Sequence, residues 1–156
     1  FWRLDEGRRT VVRRRTVYVH EKPILLKGTA LDNVMYGLLI RGVDRERAVE
    51  ASLDILSLLN IDGLTNTPIQ KLSTGQAQLV AIARALAAKP EILFLDEPFA
   101  HLDKEKKDTL INVLKKFRLR GLGLVVSSHT TDVVELGKHK RVILERGAIS
   151  SIQEVY

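Results

Sequence analysis

Two adjacent carboxylates, Asp96 and Glu97, close an apolar run in the stretch ILFLDEP at residues 92–98. Apolar residues that stop abruptly at two acids read as a buried strand delivering carboxylates to the end of a sheet. In an open parallel sheet the carboxyl ends of the strands line the ligand crevice. A hard carboxylate oxygen there suits Mg2+, and a second carboxylate suits a base that activates water. Alone, the pair reads equally well as a solvated strand end. A second candidate lies upstream in LSTGQ, residues 72–76, which opens a long Ala- and Leu-rich run. Small polar residues and Gly at a helix N-terminus leave N–H groups and the positive end of the dipole facing outward, which suits an anion. Ser73 suits both a helix cap and a phosphate ligand, and by itself the cap is the simpler reading.

The surrounding sequence predicts the elements that must position these groups. TVYV at 16–19 is β-branched and aromatic, as a strand requires, and residues 20–28 read as a loop around Pro23 and Gly28. Thr29 caps a helix over 30–40, Gly42 breaks it, and Asp44 caps a second helix over 45–59. Residues 60–71 read as a loop, and Ser73 opens a helix to about residue 88, which Lys89-Pro90 ends. Residues 92–95 form a strand expected to be buried on both faces. Asp103 caps a helix over 104–120, a second buried strand spans 122–127, and a short helix spans 130–136. Residues 141–145 and 148–152 pair as a hairpin around Gly147. Strands alternating with helices imply an α/β fold with a parallel sheet, and the all-helical run 29–89 reads as an insertion between two strands.

Composition narrows the classes. The 156 residues are 45% hydrophobic and 28% charged, ordinary for a folded protein, and contain no cysteine, which excludes disulfides, Cys-based zinc sites and Cys nucleophiles. No apolar run reaches the roughly 18 residues of a membrane span. Residues 1–22 carry seven basic and three acidic side chains, four of the six net positive charges. No aromatics interleave with the arginines to stack bases, so no nucleic-acid partner is expected and the segment reads as a solvated hairpin or strand edge. The chain begins at Phe1 and its one methionine is Met35, so a fragment or processed product is expected.

The order of motifs resembles one family. LSTGQAQLVAIARALAAKPEILFLDEPFAHLD is similar to the signature-to-D-loop block of the ATP-binding cassette (ABC) ATPases. SSHTTDVVEL and RVILERGAI resemble that family's switch-histidine strand and closing strands, and YVHEKPILLKGTALDNVMYGL resembles its Q-loop and the start of its helical subdomain. The resemblance covers residues 16–152 or so and implies a P-loop NTPase-like parallel sheet core, incomplete here, with an inserted helical subdomain. Its segments would be 1–28 (partial core and Q-loop region), 29–89 (helical subdomain ending in the signature helix) and 90–156 (the C-terminal part of the core).

The resemblance also implies roles. In the family, two nucleotide-binding domains close head to tail around two ATP molecules. Asp96 then resembles the Mg2+ ligand, Glu97 the general base and His129 the switch histidine that reaches the γ-phosphate. Ser73, Gly75 and Gln76 would meet the γ-phosphate of the partner domain's ATP, and Asp103 would communicate across the dimer. His20 occupies the Q-loop position, where the family carries Gln, and Thr74 replaces the first Gly of the usual signature. No G-x-x-x-x-G-K-S/T motif occurs in the 156 residues, and the family places it before the Q-loop, upstream of Phe1. The implied protein is an ATP-hydrolysing subunit on the cytoplasmic face of the membrane, bound to a transmembrane permease. The forms DNVMYGLLIRG and DEPFAHLD resemble prokaryotic small-solute importers, with an inorganic anion such as tungstate or molybdate as cargo. The alternative is a non-catalytic module that lends its signature helix to a partner's ATP. ABC ATPases of translation or DNA repair, with their large insertions or paired cassettes, fit less well.

Overall fold

In chain order the elements are α1 (Glu6–Arg15), β1 (Thr16–Val19), α2 (Ala30–Leu39), α3 (Arg45–Leu58), α4 (Thr74–Ala87), β2 (Ile92–Asp96), α5 (Lys104–Leu119), β3 (Gly123–Ser127), β4 (His139–Glu145) and β5 (Ala148–Val155). The computed structural model describes residue 3 and residues 5–130 and 132–156. Phe1, Trp2 and Leu4, at the start of the basic stretch, and Thr131, inside the short helix expected over 130–136, lie outside the described residues.

β1, β2 and β3 form a parallel sheet in that order, with Val17 beside Leu93 and Leu93 beside Leu124. The whole segment from 29 to 89 is therefore the crossover between neighbouring strands. Two of its helices begin with reciprocal caps: Thr29 with Asp32, and Ser73 with Gln76. Each cap satisfies two N–H groups that the helix itself leaves without partners. α2, α3 and α4 pack on one another, and α4 packs on β1. The core is built from Val34, Leu56, Leu79, Ile82, Leu86, Leu93, Leu95, Leu110 and Leu114, all essentially inaccessible. Each such side chain contributes about 1.5–3 kcal/mol through burial.

Two expectations need correction. Residues 6–15 are not a hairpin or strand edge but helix α1, capped by Asp5 and carrying Glu6 in its first turn and Arg13, Arg14 and Arg15 in its last. That distribution complements the helix dipole, and Glu6 also pairs with Arg9 and Arg13 across successive turns. Local charge placement thus decides for helix where no residue of the segment is buried. The strands at 92–95 and 122–127, expected to be buried on both faces, are not: β2 buries Leu93 and Leu95 but leaves Ile92 exposed and Phe94 half-buried, and β3 has no fully buried residue. Val19, Leu93 and Leu95 face the helices, whereas Tyr18 and Val125 on the other face are 51% and 50% exposed. β3 starts at Gly123 rather than Leu122. The remaining elements follow the expected order, and β4 and β5 form the antiparallel hairpin with Val142 opposite Ile152. Among the described residues no helix is long and apolar enough to cross a membrane.

Candidate functional site

The carboxyl ends of the parallel strands collect four of the expected residues. Asp96 is the last residue of β2, and its carboxylate accepts hydrogen bonds from two hydroxyls, Ser127 Oγ at the end of β3 and Tyr18 OH of β1 at 2.8 Å. Those donors, Ser127 foremost, hold the Asp96 carboxyl below its ordinary range, and the nearby His20 adds to the effect. Tyr18 is correspondingly pushed up by donating to Asp96. Register explains the contact: Tyr18 pairs with Phe94, so Asp96 is the next residue on the same face. His20 packs edge-on against the Tyr18 ring, centroids 4.5 Å apart, and so sits beside the same carboxylate.

Glu97 leaves the strand in a left-handed conformation, φ +44°. Such a backbone is uncommon for a residue with a Cβ and costs of order 1–3 kcal/mol where the surroundings enforce it. Here the surroundings are specific. The Glu97 N–H donates to the Ser127 carbonyl at 3.0 Å, which fixes the peptide at the end of β3. Its carboxylate turns under the 128–130 loop, where Oε1 accepts the His129 N–H at 2.8 Å and lies 2.9 Å from His129 Nδ1. Ser128 Oγ donates to Oε2 at 3.4 Å. The Glu97 side chain is mostly shielded, while the His129 side chain is 74% exposed. The arrangement therefore holds a carboxylate still and presents an imidazole to whatever occupies the crevice. Proton abstraction from water and contact with an anion are the two chemistries it suits.

Ser73, Gly75, Gln76 and Asp103 form a second group. Ser73 Oγ accepts the Gln76 N–H at 3.3 Å, and Gln76 Oε1 accepts the Ser73 N–H at 2.9 Å. The Ser73 hydroxyl proton and the Gln76 amide NH2 have no acceptor among the described residues and suit an anion. Gly75 lacks a side chain for a steric reason: a Cβ there would overlap the carbonyl oxygen of His101. That close approach seats the start of α4 on the turn that leads to Asp103. Asp103 caps α5, accepting the Lys106 N–H at 2.9 Å and pairing with the Lys106 ammonium, which lowers its carboxyl below the ordinary range. No hydrogen bond joins the two groups among the described residues.

Several contributors have no signature as site residues in the sequence. Tyr18 and Ser127 reach Asp96 only because of strand register. Asn33, fully buried on α2, accepts the Leu26 N–H at 2.8 Å and donates to the Leu26 and Thr29 carbonyls at 2.9 Å each. Arg84 on α4 donates to the Ile24 carbonyl at 2.7 Å, and its partial burial lowers its pKa. These two side chains hold the loop that follows His20. A helical period identifies both positions as inward-facing but does not say that they meet one loop, 7 residues before Asn33 and 60 before Arg84.

The donor set also constrains which metal fits. No three His, Cys, Asp or Glu side chains converge on one point among the described residues. A dedicated protein cage for a cation is therefore not what this cluster offers. Mg2+ is bound instead by one or two carboxylates together with waters and substrate phosphates. Asp96, kept ionised by two hydroxyl donors at a strand end, fits that mode.

The family model described as ABC transporter matches residues 3–100. The chain belongs to the ABC transporter family. Lipoprotein-releasing system ATP-binding protein LolD 2 of Rhodopseudomonas palustris is 34% identical over 154 residues, covering 96% of this chain and 66% of the relative. Molybdate/tungstate import ATP-binding protein WtpC of Pyrococcus horikoshii is 36% identical over 129 residues, covering 81% of this chain and 37% of the relative. The chain thus spans less than two thirds of the length of these curated relatives. The solved dimer of the ATP-binding cassette MJ0796 bound to ADP and Pi superposes with a TM-score of 0.86 at 29% identity, over 99% of this chain and 69% of that one. The parallel sheet with its helices is accordingly the ABC cassette fold, and the chain is a member of a family of transporter ATP-binding proteins.

Proposed function

We propose that the chain is the signature-bearing part of an ABC subunit that binds and hydrolyses ATP to drive transport through a membrane permease. The observation that carries this reading is Glu97 held beneath the His129 loop, next to an ionised Asp96, at the carboxyl end of β2. In it, Asp96 holds Mg2+ and Glu97 is the general base that orients and deprotonates the attacking water. His129 meets the γ-phosphate, and His20 stands at the Q-loop position beside Asp96. Mg2+ bound with ATP would supply charge neutralisation at the phosphates. Ser73, Gly75 and Gln76 would face the ATP of a second nucleotide-binding domain across a head-to-tail dimer, with Asp103 at the same interface.

The three segments 1–28, 29–89 and 90–156 then serve as partial core, helical subdomain and C-terminal core. The subunit would lie at the cytoplasmic face of the membrane through its permease. The relatives named for lipoprotein release and for molybdate/tungstate import differ in cargo, which fits cargo choice residing in other subunits. WtpC supports an inorganic oxyanion as the cargo class.

The test is steady-state ATP hydrolysis by the native polypeptide, wild type against Glu97→Gln, with nucleotide binding measured in parallel. Loss of a positioned general base predicts a fall of about 100-fold or more with ATP binding retained. Undiminished hydrolysis in that variant removes Glu97 from the role. A native polypeptide that binds no ATP alone, yet raises ATP occupancy on a second cassette, would establish the alternative of a non-catalytic module lending its signature helix.

A further inference from the structure

The loop that carries His129 is strapped to α5 at both ends. Near the start of α5, Lys107 Nζ lies 2.9 Å from Asp132 Oδ2, and both side chains are more than two-thirds shielded from solvent. The same Asp132 oxygen accepts the Thr130 hydroxyl at 3.0 Å. Thr130 in turn donates its N–H to Ser128 Oγ at 3.2 Å, and Ser128 donates to Glu97 Oε2. At the far end of α5, Arg118 donates to the carbonyls of Leu136 and Lys138, the latter at 2.8 Å. Lys107 holds Asp132 below its ordinary carboxyl range. A continuous line of hydrogen bonds thus runs from an α5 ammonium to the carboxylate on which His129 rests.

We infer that Lys107 and Asp132 are positioning residues that hold the His129 loop against Glu97, so that a displacement of α5, whose cap is Asp103, is transmitted to the Glu97–His129 contact. The inference rests on the reading of Glu97 and His129 as the hydrolytic pair. Neither Lys107 nor Asp132 touches the reacting groups in that reading. They act by fixing the turn at 128–130, since Thr130 is gripped from both sides, by Asp132 through its hydroxyl and by Ser128 through its N–H. A charged hydrogen bond at a partly buried site is stronger than a neutral surface one, so its removal should be felt along the line.

The experiment is backbone amide hydrogen exchange, residue by residue, in the nucleotide-free protein. The variants are Lys107→Met, which keeps the length of the side chain without its charge, and Lys107→Arg, which keeps the charge. The His129 amide is expected to exchange about tenfold faster in Lys107→Met and to return to the wild-type rate in Lys107→Arg, with Leu110 and Leu114 of α5 unchanged in both. Unchanged exchange at His129 in Lys107→Met overturns the inference. So does an equal loss of protection along α5, which would mean that Lys107 only stabilises its own helix. Asp132→Ala, measured the same way, replaces Lys107→Met should that variant not fold, and it carries the same two outcomes. Because no nucleotide is present, a protein that fails to bind ATP refutes the hydrolytic reading while leaving this measurement intact.

Discussion

Glu97 and Gly75 show how single positions are fixed by close approach. Glu97 takes a left-handed backbone because its N–H is held by the end of β3 while its carboxylate is held by the His129 amide. Gly75 is set by the opposite need, the lack of a side chain where the His101 carbonyl passes. Gly75→Ala must therefore move either the first turn of α4 or the turn before Asp103. Overpacking against a backbone oxygen costs about 1–3 kcal/mol, and the expected outcome is a fall of that size in stability to urea. A variant as stable as wild type would show that the two segments can part freely. At this scale Gly75 stood out in the sequence within LSTGQ, but the carbonyl that crowds it did not. A phosphate contact and a steric requirement both call for Gly, and the steric one becomes visible only with the neighbour that passes at that point.

Helices and loops are the scale at which the crevice is assembled. The caps at Thr29, Asp44, Ser73 and Asp103 are all written locally, one polar residue followed by an N–H three positions on. The loop after His20 has no such local code and is held from outside by Asn33 and Arg84. Asn33→Ala would leave the Leu26 N–H and carbonyl without these partners in a part-buried setting. Each such loss costs about 1–3 kcal/mol. The expected result is a stability loss of at least about 2 kcal/mol accompanied by rapid amide exchange at Leu26. Slow exchange at Leu26 in the variant would mean that the loop holds itself. The helix α1 belongs here too: its charges select helix, although the same arginines read as a strand edge when their spacing relative to Asp5 and Glu6 is ignored.

The whole molecule responds to pH through its depressed carboxylates. Asp32 is lowered chiefly by the Thr29 N–H, Asp96 by Ser127, Asp103 by Lys106 and Asp132 by Lys107. A carboxyl whose folded pKa lies below its unfolded value stabilises the fold above the unfolded value, near 4. That contribution is lost as pH falls through the lower folded value. The urea midpoint should therefore hold from neutral pH down to about 5 and decline below about 4. A midpoint that rises on acidification would show that repulsion among these acids outweighs their hydrogen bonds. The decline should be modest, because most of these groups are solvent-accessible and screened.

Local rules carried much of this protein. Capping residues, the period of apolar positions and the breakers at Gly42, Pro90 and Gly121 determine where the helices lie, because those signals act within a few residues along the chain. The spacing of LSTGQ, LDEP and SSH determines the family for the same reason, since each motif is a short piece of backbone with fixed chemistry. What the tertiary structure decided is everything that depends on register and on which faces meet. It placed Tyr18 and Ser127 on Asp96, put Lys107 on Asp132, left the sheet partly exposed where burial on both faces was expected, and brought Asn33 to the loop after His20. Those contacts join residues from different elements, and their geometry exists only once parallel strands have aligned and helices have docked on them.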